Sequence, residues 1–109
     1  MWIPLNNIED LSLIIERSKN RPQAIFKHST RCSISSMAKG RIERAGKSDN
    51  FDLNYLDLIK HRDISNAIAE QFDVQHESPQ ILLVKDGKCV YDESHSGISM
   101  DELEEQVSS

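Results

Sequence analysis

One of the two cysteines, Cys32, lies where a short apolar strand gives way to a helix, within the segment Ala24–Ala38. Unpaired backbone N–H groups and the positive end of the helix dipole favour an anion at a helix start, and the thiolate anion is the nucleophilic form of cysteine. The spacing from Cys32 to Ser35 is that of a C-x-x-C redox motif in which a hydroxyl replaces the second sulfur. This pattern indicates thiol–disulfide exchange carried out with one cysteine.

Polar and basic side chains around this cysteine could support the exchange. Lys27 and Arg31 should add positive charge near the helix start and favour the thiolate, although each is equally typical of solvated surface. His28 could donate a proton to the departing thiol, or it could be a hydrogen-bonded structural residue. Thr30 offers a hydroxyl to the thiolate or to a ligand carboxylate, and Ser35 could hydrogen-bond the sulfur, while turn and capping roles also suit both residues.

The second cysteine, Cys89, follows a two-residue hairpin signal at Asp86-Gly87. This turn pairs Cys89 with a position near Val84, which is five residues beyond Pro79. At ~3.3 Å per strand residue, Cys89 lies roughly 16 Å from the active end of the sheet. A disulfide requires Cα atoms within ~7 Å of each other. We therefore expect Cys89 to be a packing residue that does not resolve Cys32.

Apolar periodicity, caps and turn residues predict the elements that must position Cys32. Asn6 is the expected cap of the first helix, Asp63 of the third, and Ser99 with Glu102 forms a capping box for the last. In chain order the prediction is a helix over 7–18, a strand over 24–27, a helix over 32–44 ending at Gly46, a strand over 51–57, a helix over 64–72, strands over 81–84 and 88–91, and a helix after Ser99.

The order α-β-α-β-α-β-β-α, taken together with the positions of Cys32 and Pro79, predicts a single α/β domain over residues 1–109, with a thioredoxin-like fold and a central mixed four-stranded sheet flanked by helices. The first two strands are expected to be parallel, joined by a right-handed crossover. Cys32 follows the first strand and Pro79 directly precedes the hairpin, where thioredoxin-like proteins have their nucleophile and their cis-proline. We expect a cis Ser78–Pro79 bond that leaves the Ser78 backbone free to pair with an extended substrate.

Composition argues against several other classes of function. Thirteen basic and eighteen acidic residues give a net charge of −5, which disfavours a general nucleic-acid or anionic-membrane role. No apolar run approaches the ~20 residues of a membrane span, and the N-terminus lacks the features of a secretory signal. We expect a cytoplasmic monomer. Two cysteines and histidines in separate segments predict no metal site.

The segment Phe26–Ser35, with its K-H-S-T-R-C core, resembles the active-site segment of the monothiol bacilliredoxins. Glu77–Gln80 and Ser96–Ser99 are similar to the second half of that family. The resemblance implies a thioredoxin fold that exchanges disulfides with bacillithiol, a small thiol that some bacteria use in place of glutathione. It implies that Cys32, opposite Pro79, removes bacillithiol from mixed disulfides on client proteins, with bacillithiol as a co-substrate and no other cofactor.

The resemblance also suggests receptors for the malate carboxylates of bacillithiol. These are Arg31 and the start of the last helix, with Gly97 and Ser99. Two other functions stay open. One is an iron–sulfur carrier like the monothiol glutaredoxins, although Ser33-Ile34 replaces the Gly-Phe of their C-G-F-S motif. The other is a redox-inactive module that keeps the fold for protein contacts.

Overall fold

The computed structural model describes residues 1–109 throughout. It contains five strands, four α-helices and a 3₁₀ turn over His95–Gly97. The strands are β1 (Trp2–Pro4), β2 (Gln23–His28), β3 (Asp52–Asp57), β4 (Gln80–Lys85) and β5 (Lys88–Ser94). The helices are α1 (Ile8–Arg17), α2 (Ser33–Ala45), α3 (Arg62–Phe72) and α4 (Met100–Ser108).

The strands form one mixed sheet in the order β1-β3-β2-β4-β5. β1, β2 and β3 are parallel, whereas β4 runs antiparallel to both β2 and β5. The predicted parallel pairing of β2 and β3, which α2 connects, is confirmed, and the α/β class is also confirmed. The predicted count of four strands is wrong, because β1 adds a fifth at the edge.

β1 is a three-residue edge strand that pairs with β3, Trp2 lying opposite Leu53. A proline is tolerated there because an edge strand has one side without ladder hydrogen bonds. The Trp2 ring stacks on Phe26 with centroids 5.7 Å apart and lies at the same distance from the Tyr55 ring. Aromatic packing therefore holds a strand that is too short to be stable through its backbone alone.

Both faces of the sheet are covered, because β2 is buried along its whole length. Successive strand residues point to opposite faces. Phe26 lies in an apolar cluster with residues of α2 and α4, whereas Ile25 lies in a second cluster with residues of α1 and α3. This alternation decides which helix each side chain of β2 contacts, and so which of them lie on the same face as α2.

The helix starts differ in part from the predicted caps. Asn7, not Asn6, caps α1, and its side chain accepts a hydrogen bond from the Asp10 N–H at 3.0 Å. His61 occupies the cap of α3, so Asp63 lies inside the first turn, where its charge still complements the dipole. The capping box at the last helix is confirmed on its Ser99 side, where the hydroxyl accepts from the Glu102 N–H at 3.2 Å.

Candidate functional site

Cys32 is the N-cap residue of α2, with extended backbone angles and a partly exposed, free thiol. A cap side chain normally accepts a hydrogen bond from the second or third backbone N–H of the helix. Here the sulfur makes no cap bond, and the N–H groups of Ser33, Ile34 and Ser35 have no backbone partner. The first turn also contains no acidic residue. The start of α2 therefore leaves unpaired N–H donors that an anion bound there would satisfy.

Ser35 holds the loop that carries the cysteine. Its buried hydroxyl accepts from the Ser29 N–H at 3.0 Å and lies 2.7 Å from His28 Nδ1. The Cys32 N–H in turn donates to the Ser29 carbonyl at 3.2 Å. The suggested hydrogen bond from Ser35 to the sulfur is not formed. The hydroxyl instead contacts His28 and Ser29, at the end of β2.

His28 is buried and has the second of the two roles predicted from the sequence, that of a hydrogen-bonded structural residue. Burial lowers the pKa of its imidazole, and nearby Lys39 lowers it further, against the opposing effect of Asp57 and Glu43. The ring is therefore neutral at pH 7 and hydrogen-bonded to Ser35. No hydrogen bond joins it to the sulfur, so the suggested role as proton donor to the departing thiol is not supported.

Lys27 lies on the other face of the sheet from α2, which corrects its expected position near the helix start. Its fully buried side chain reaches α3, where Nζ lies 3.3 Å from the Ser65 carbonyl oxygen. Nζ also lies 3.3 Å from Nδ1 of His76, in the loop after α3. β2 is buried on both faces. Which face Lys27 occupies depends on the register of the strand, and the number of residues between Lys27 and Cys32 does not reveal that register.

Pro79 and Cys32 lie at the same end of the sheet, next to each other across the inner strands β2 and β4. The antiparallel ladder pairs Gln80 with Lys27, so β4 begins where β2 ends. The Ser78–Pro79 bond is cis, as predicted. The Pro79 carbonyl accepts from the His95 N–H at 3.1 Å, whereas neither backbone group of Ser78 has a partner within the chain.

Arg31 and Thr30 are exposed beside the cysteine. Arg31 takes part in none of the three salt bridges of the chain, so its guanidinium is available to an incoming anion. The Thr30 hydroxyl makes no hydrogen bond and is equally accessible to a ligand. Arg31 and Thr30 thus offer a cation and a hydroxyl beside the cysteine.

The start of α4 is a poor receptor for a carboxylate, contrary to the expectation for Gly97 and Ser99. The Ser99 hydroxyl already caps the helix, whose first turn carries Asp101 and Glu102. The carboxyl group of Glu93 also lies against Gly97, since a Cβ atom built at this position would lie 2.6 Å from the Glu93 carboxyl carbon. Three carboxylates around this turn would repel another.

Cys89 is opposite Val84 in the β4–β5 ladder, as predicted, and both cysteines are free. Burial raises the pKa of the Cys89 thiol, and the thiol donates a hydrogen bond to the Tyr91 carbonyl at 3.3 Å. It packs against the apolar cluster under α1 and α3. Cys89 is therefore a packing thiol remote from the active end.

Several neighbours of His28 were not anticipated. Tyr55 tilts against His28 with ring centroids 5.8 Å apart, and Lys39 Nζ lies 5.7 Å from the Tyr55 centroid. Glu43 accepts from Lys39 at 3.1 Å and from the Trp2 indole N–H at 2.9 Å. The spacing of Lys39 and Glu43 is the one signal that could have placed them together on a helix face.

The structure contains no cluster of three or more histidine, cysteine or carboxylate side chains arranged to hold a metal ion. None of its helices combines the length and the apolar character that a membrane span requires.

Comparison with solved structures establishes the fold. A protein described as a candidate oxidoreductase with a thioredoxin fold is 30% identical, with a TM-score of 0.85 over 96% of this chain and 92% of its own. Thioredoxin from Trypanosoma brucei brucei is 11% identical, with a TM-score of 0.78 over 99% of this chain and 88% of its own. Thioredoxin from Fasciola hepatica is 19% identical, with a TM-score of 0.74 over 96% of this chain and 95% of its own.

A family profile assigns the chain more narrowly. The family described as monothiol bacilliredoxin BrxC matches residues 3–103, which include Cys32, Ser78 and Pro79. Taken with the free thiol at the start of α2 and the remote second cysteine, these matches make the chain a monothiol oxidoreductase. The chain belongs to the monothiol bacilliredoxin family.

Proposed function

We propose that this protein removes bacillithiol from mixed disulfides on client proteins, acting as a monomer in the cytoplasm. The Cys32 thiolate attacks the bacillithiol sulfur, the client–bacillithiol S–S bond breaks, and a Cys32–bacillithiol S–S bond forms. The client leaves as a thiolate that takes a proton from solvent. A second small thiol then attacks the bacillithiol sulfur, which yields a small disulfide and restores the Cys32 thiolate.

The placement of Cys32 carries this proposal. Its sulfur is the only thiol at the active end, and the unpaired N–H groups of Ser33, Ile34 and Ser35 lie in the turn that follows it. Because Ser35 contacts His28 and Ser29 and has no sulfur of its own, a second molecule must complete each cycle. This is the chemistry of a monothiol enzyme.

Arg31 is the best-placed receptor for the carboxylates of bacillithiol. It is exposed one residue before Cys32 and makes no salt bridge within the chain. The start of α4, with its own carboxylates, is not part of this proposal. The client chain would pair with the free backbone groups of Ser78 as an added extended segment.

The test is transfer of bacillithiol from a labelled client protein, followed by intact mass spectrometry. We expect one bacillithiol on Cys32, released by excess thiol, and the same result in the matched control Cys89→Ser. Cys32→Ser should remain unlabelled and should not release the client. Labelling of Cys89, or client release by Cys32→Ser, would contradict the proposal.

Three parallel measurements distinguish the remaining functions. A client carrying glutathione in place of bacillithiol tests which small thiol is preferred. A stable visible chromophore after reconstitution with iron and sulfide, lost in Cys32→Ser, would favour the iron–sulfur carrier. A Cys32 that fails to react with an alkylating agent at neutral pH would favour a redox-inactive binding module.

A further inference from the structure

Lys27 is a buried cation for which the exchange reaction described above has no use. Its side chain is fully buried, its strand is central in the sheet, and it forms none of the three salt bridges. Burying an ammonium group without a carboxylate partner costs free energy, and an apolar side chain of similar volume would pack there more favourably. Burial lowers the pKa of Lys27 to about 8, which reflects the same cost. Stability therefore does not explain why a lysine occupies this position.

The contacts of Lys27 point to the loop between α3 and β4. Nζ lies 3.3 Å from His76 Nδ1, and the Ser65 hydroxyl lies 3.2 Å from the same nitrogen. Burial and the neighbouring Lys27 lower the pKa of His76, so the ring is neutral and Nδ1 can accept a hydrogen bond. The loop is thereby attached to β2 and to α3 at one point.

The ladder partner of Lys27 attaches the same loop. Gln80 pairs with Lys27 across the β2–β4 ladder and is also buried. Its side-chain amide donates to the Gln75 carbonyl at 3.0 Å and its side-chain carbonyl accepts from the Glu77 N–H at 3.4 Å. Two adjacent buried polar side chains thus fix residues 75–77, and the next residue is Ser78.

We propose that Lys27 is a positioning residue, which through His76 holds the segment 75–78 so that the Ser78 backbone is set to receive an extended client chain. The proposal rests on the proposed function and deepens it, since it separates client recognition from thiol chemistry. Lys27 lies on the α3 face of the sheet and Cys32 at the start of α2, so the lysine governs binding of peptide substrates and leaves the reactivity of the sulfur unchanged.

Two substrates distinguish this role from a general effect on the enzyme. One is a short extended cysteine peptide carrying bacillithiol, and the other is the mixed disulfide of bacillithiol with 2-mercaptoethanol, which has no backbone to pair. Lys27→Met should raise KM for the peptide about tenfold, equivalent to about 1.4 kcal/mol of binding. The kcat for the peptide, the rate with the small disulfide and the alkylation rate of Cys32 should all change by less than about twofold.

Two further variants keep the test independent of folding. His76→Ala removes the loop partner at an exposed position and should raise the peptide KM in the same way. Lys85→Met is the matched control, because Lys85 donates to the Val107 carbonyl at the opposite end of β4. It should leave both substrates unaffected. Equal changes with both substrates, or an unchanged peptide KM in Lys27→Met and His76→Ala, would overturn the proposal.

Hydrogen exchange decides the positioning role even where catalysis fails. Lys27→Met should speed exchange of the Glu77 N–H, the one hydrogen-bonded amide of the segment 75–78, by at least about threefold, with no change in the segment 29–32. If the wild-type protein processes neither substrate, the proposed function is wrong, whereas faster exchange in 75–78 still supports the attachment by Lys27. Unchanged exchange there would refute that attachment whatever the activity.

Discussion

Replacing Ser35 by alanine should destabilise the domain substantially, because one hydroxyl satisfies two buried groups. It accepts from the Ser29 N–H at 3.0 Å and contacts His28 Nδ1 at 2.7 Å. All three residues are buried, and no buried side-chain polar atom in the chain lacks a partner. Each of the two groups left unpaired costs about 1–3 kcal/mol, so Ser35→Ala should lose about 2–6 kcal/mol of unfolding free energy.

Urea unfolding measures this loss directly. With an m-value of about 2 kcal/mol per molar, the midpoint should fall by about 1–3 M without a change in m. Ser33→Ala is the matched control, since Ser33 is exposed in the same helical turn and makes no side-chain hydrogen bond. It should change stability by less than about 0.5 kcal/mol. Equal effects of Ser33→Ala and Ser35→Ala would refute the reasoning.

Three other outcomes follow from the same structure. Because burial lowers the pKa of His28, the unfolded chain binds a proton at this imidazole more readily than the folded chain does. The unfolding free energy should therefore have its full value above pH ~6.5 and decrease as the pH falls below that value. In urea titrations at several pH values, His28→Phe should make this decrease smaller. Cys89→Ser should leave the alkylation rate of Cys32 within about twofold, because the two thiols lie at different ends of the sheet; a larger change would indicate that they communicate. Trp2→Ala should lower the unfolding free energy by about 2 kcal/mol, because the ring stacking is lost. Trp2→Phe keeps an aromatic ring but removes the indole hydrogen bond to Glu43, and should lower it by less than about 1 kcal/mol. Equal losses for the two variants in thermal or urea unfolding would contradict the importance of stacking.

The sequence predicted those parts of the fold that depend on local signals. The hairpin at Asp86-Gly87 and the capping serine of α4 were placed correctly because turn and cap chemistry acts over a few residues. β1 was missed because three residues show no periodicity. It exists through pairing with residues about fifty positions further along the chain, and through a tryptophan that packs on two other strands.

The site shows the same division between local and long-range information. The position of Cys32 at a helix start follows from the strand and helix signals on either side of it. The face occupied by Lys27 does not, because every residue of β2 is buried and sequence alternation gives two faces without saying which one α2 covers. The contacts of Gln80 and His76 likewise depend on the β2–β4 register, which aligns residues more than fifty positions apart.

The distance between the two cysteines has a consequence for how the protein responds to oxidation. A dithiol protein can close an internal bridge and stay oxidised by itself after its partner has left. This chain cannot form such a bridge, since Cys89 lies beside the hairpin turn, away from Cys32, and packs among apolar side chains. The oxidised protein must therefore hold a second thiol compound in a mixed disulfide with Cys32. Whether this mixed disulfide forms or is reduced then depends on the ratio of small thiol to small disulfide in solution.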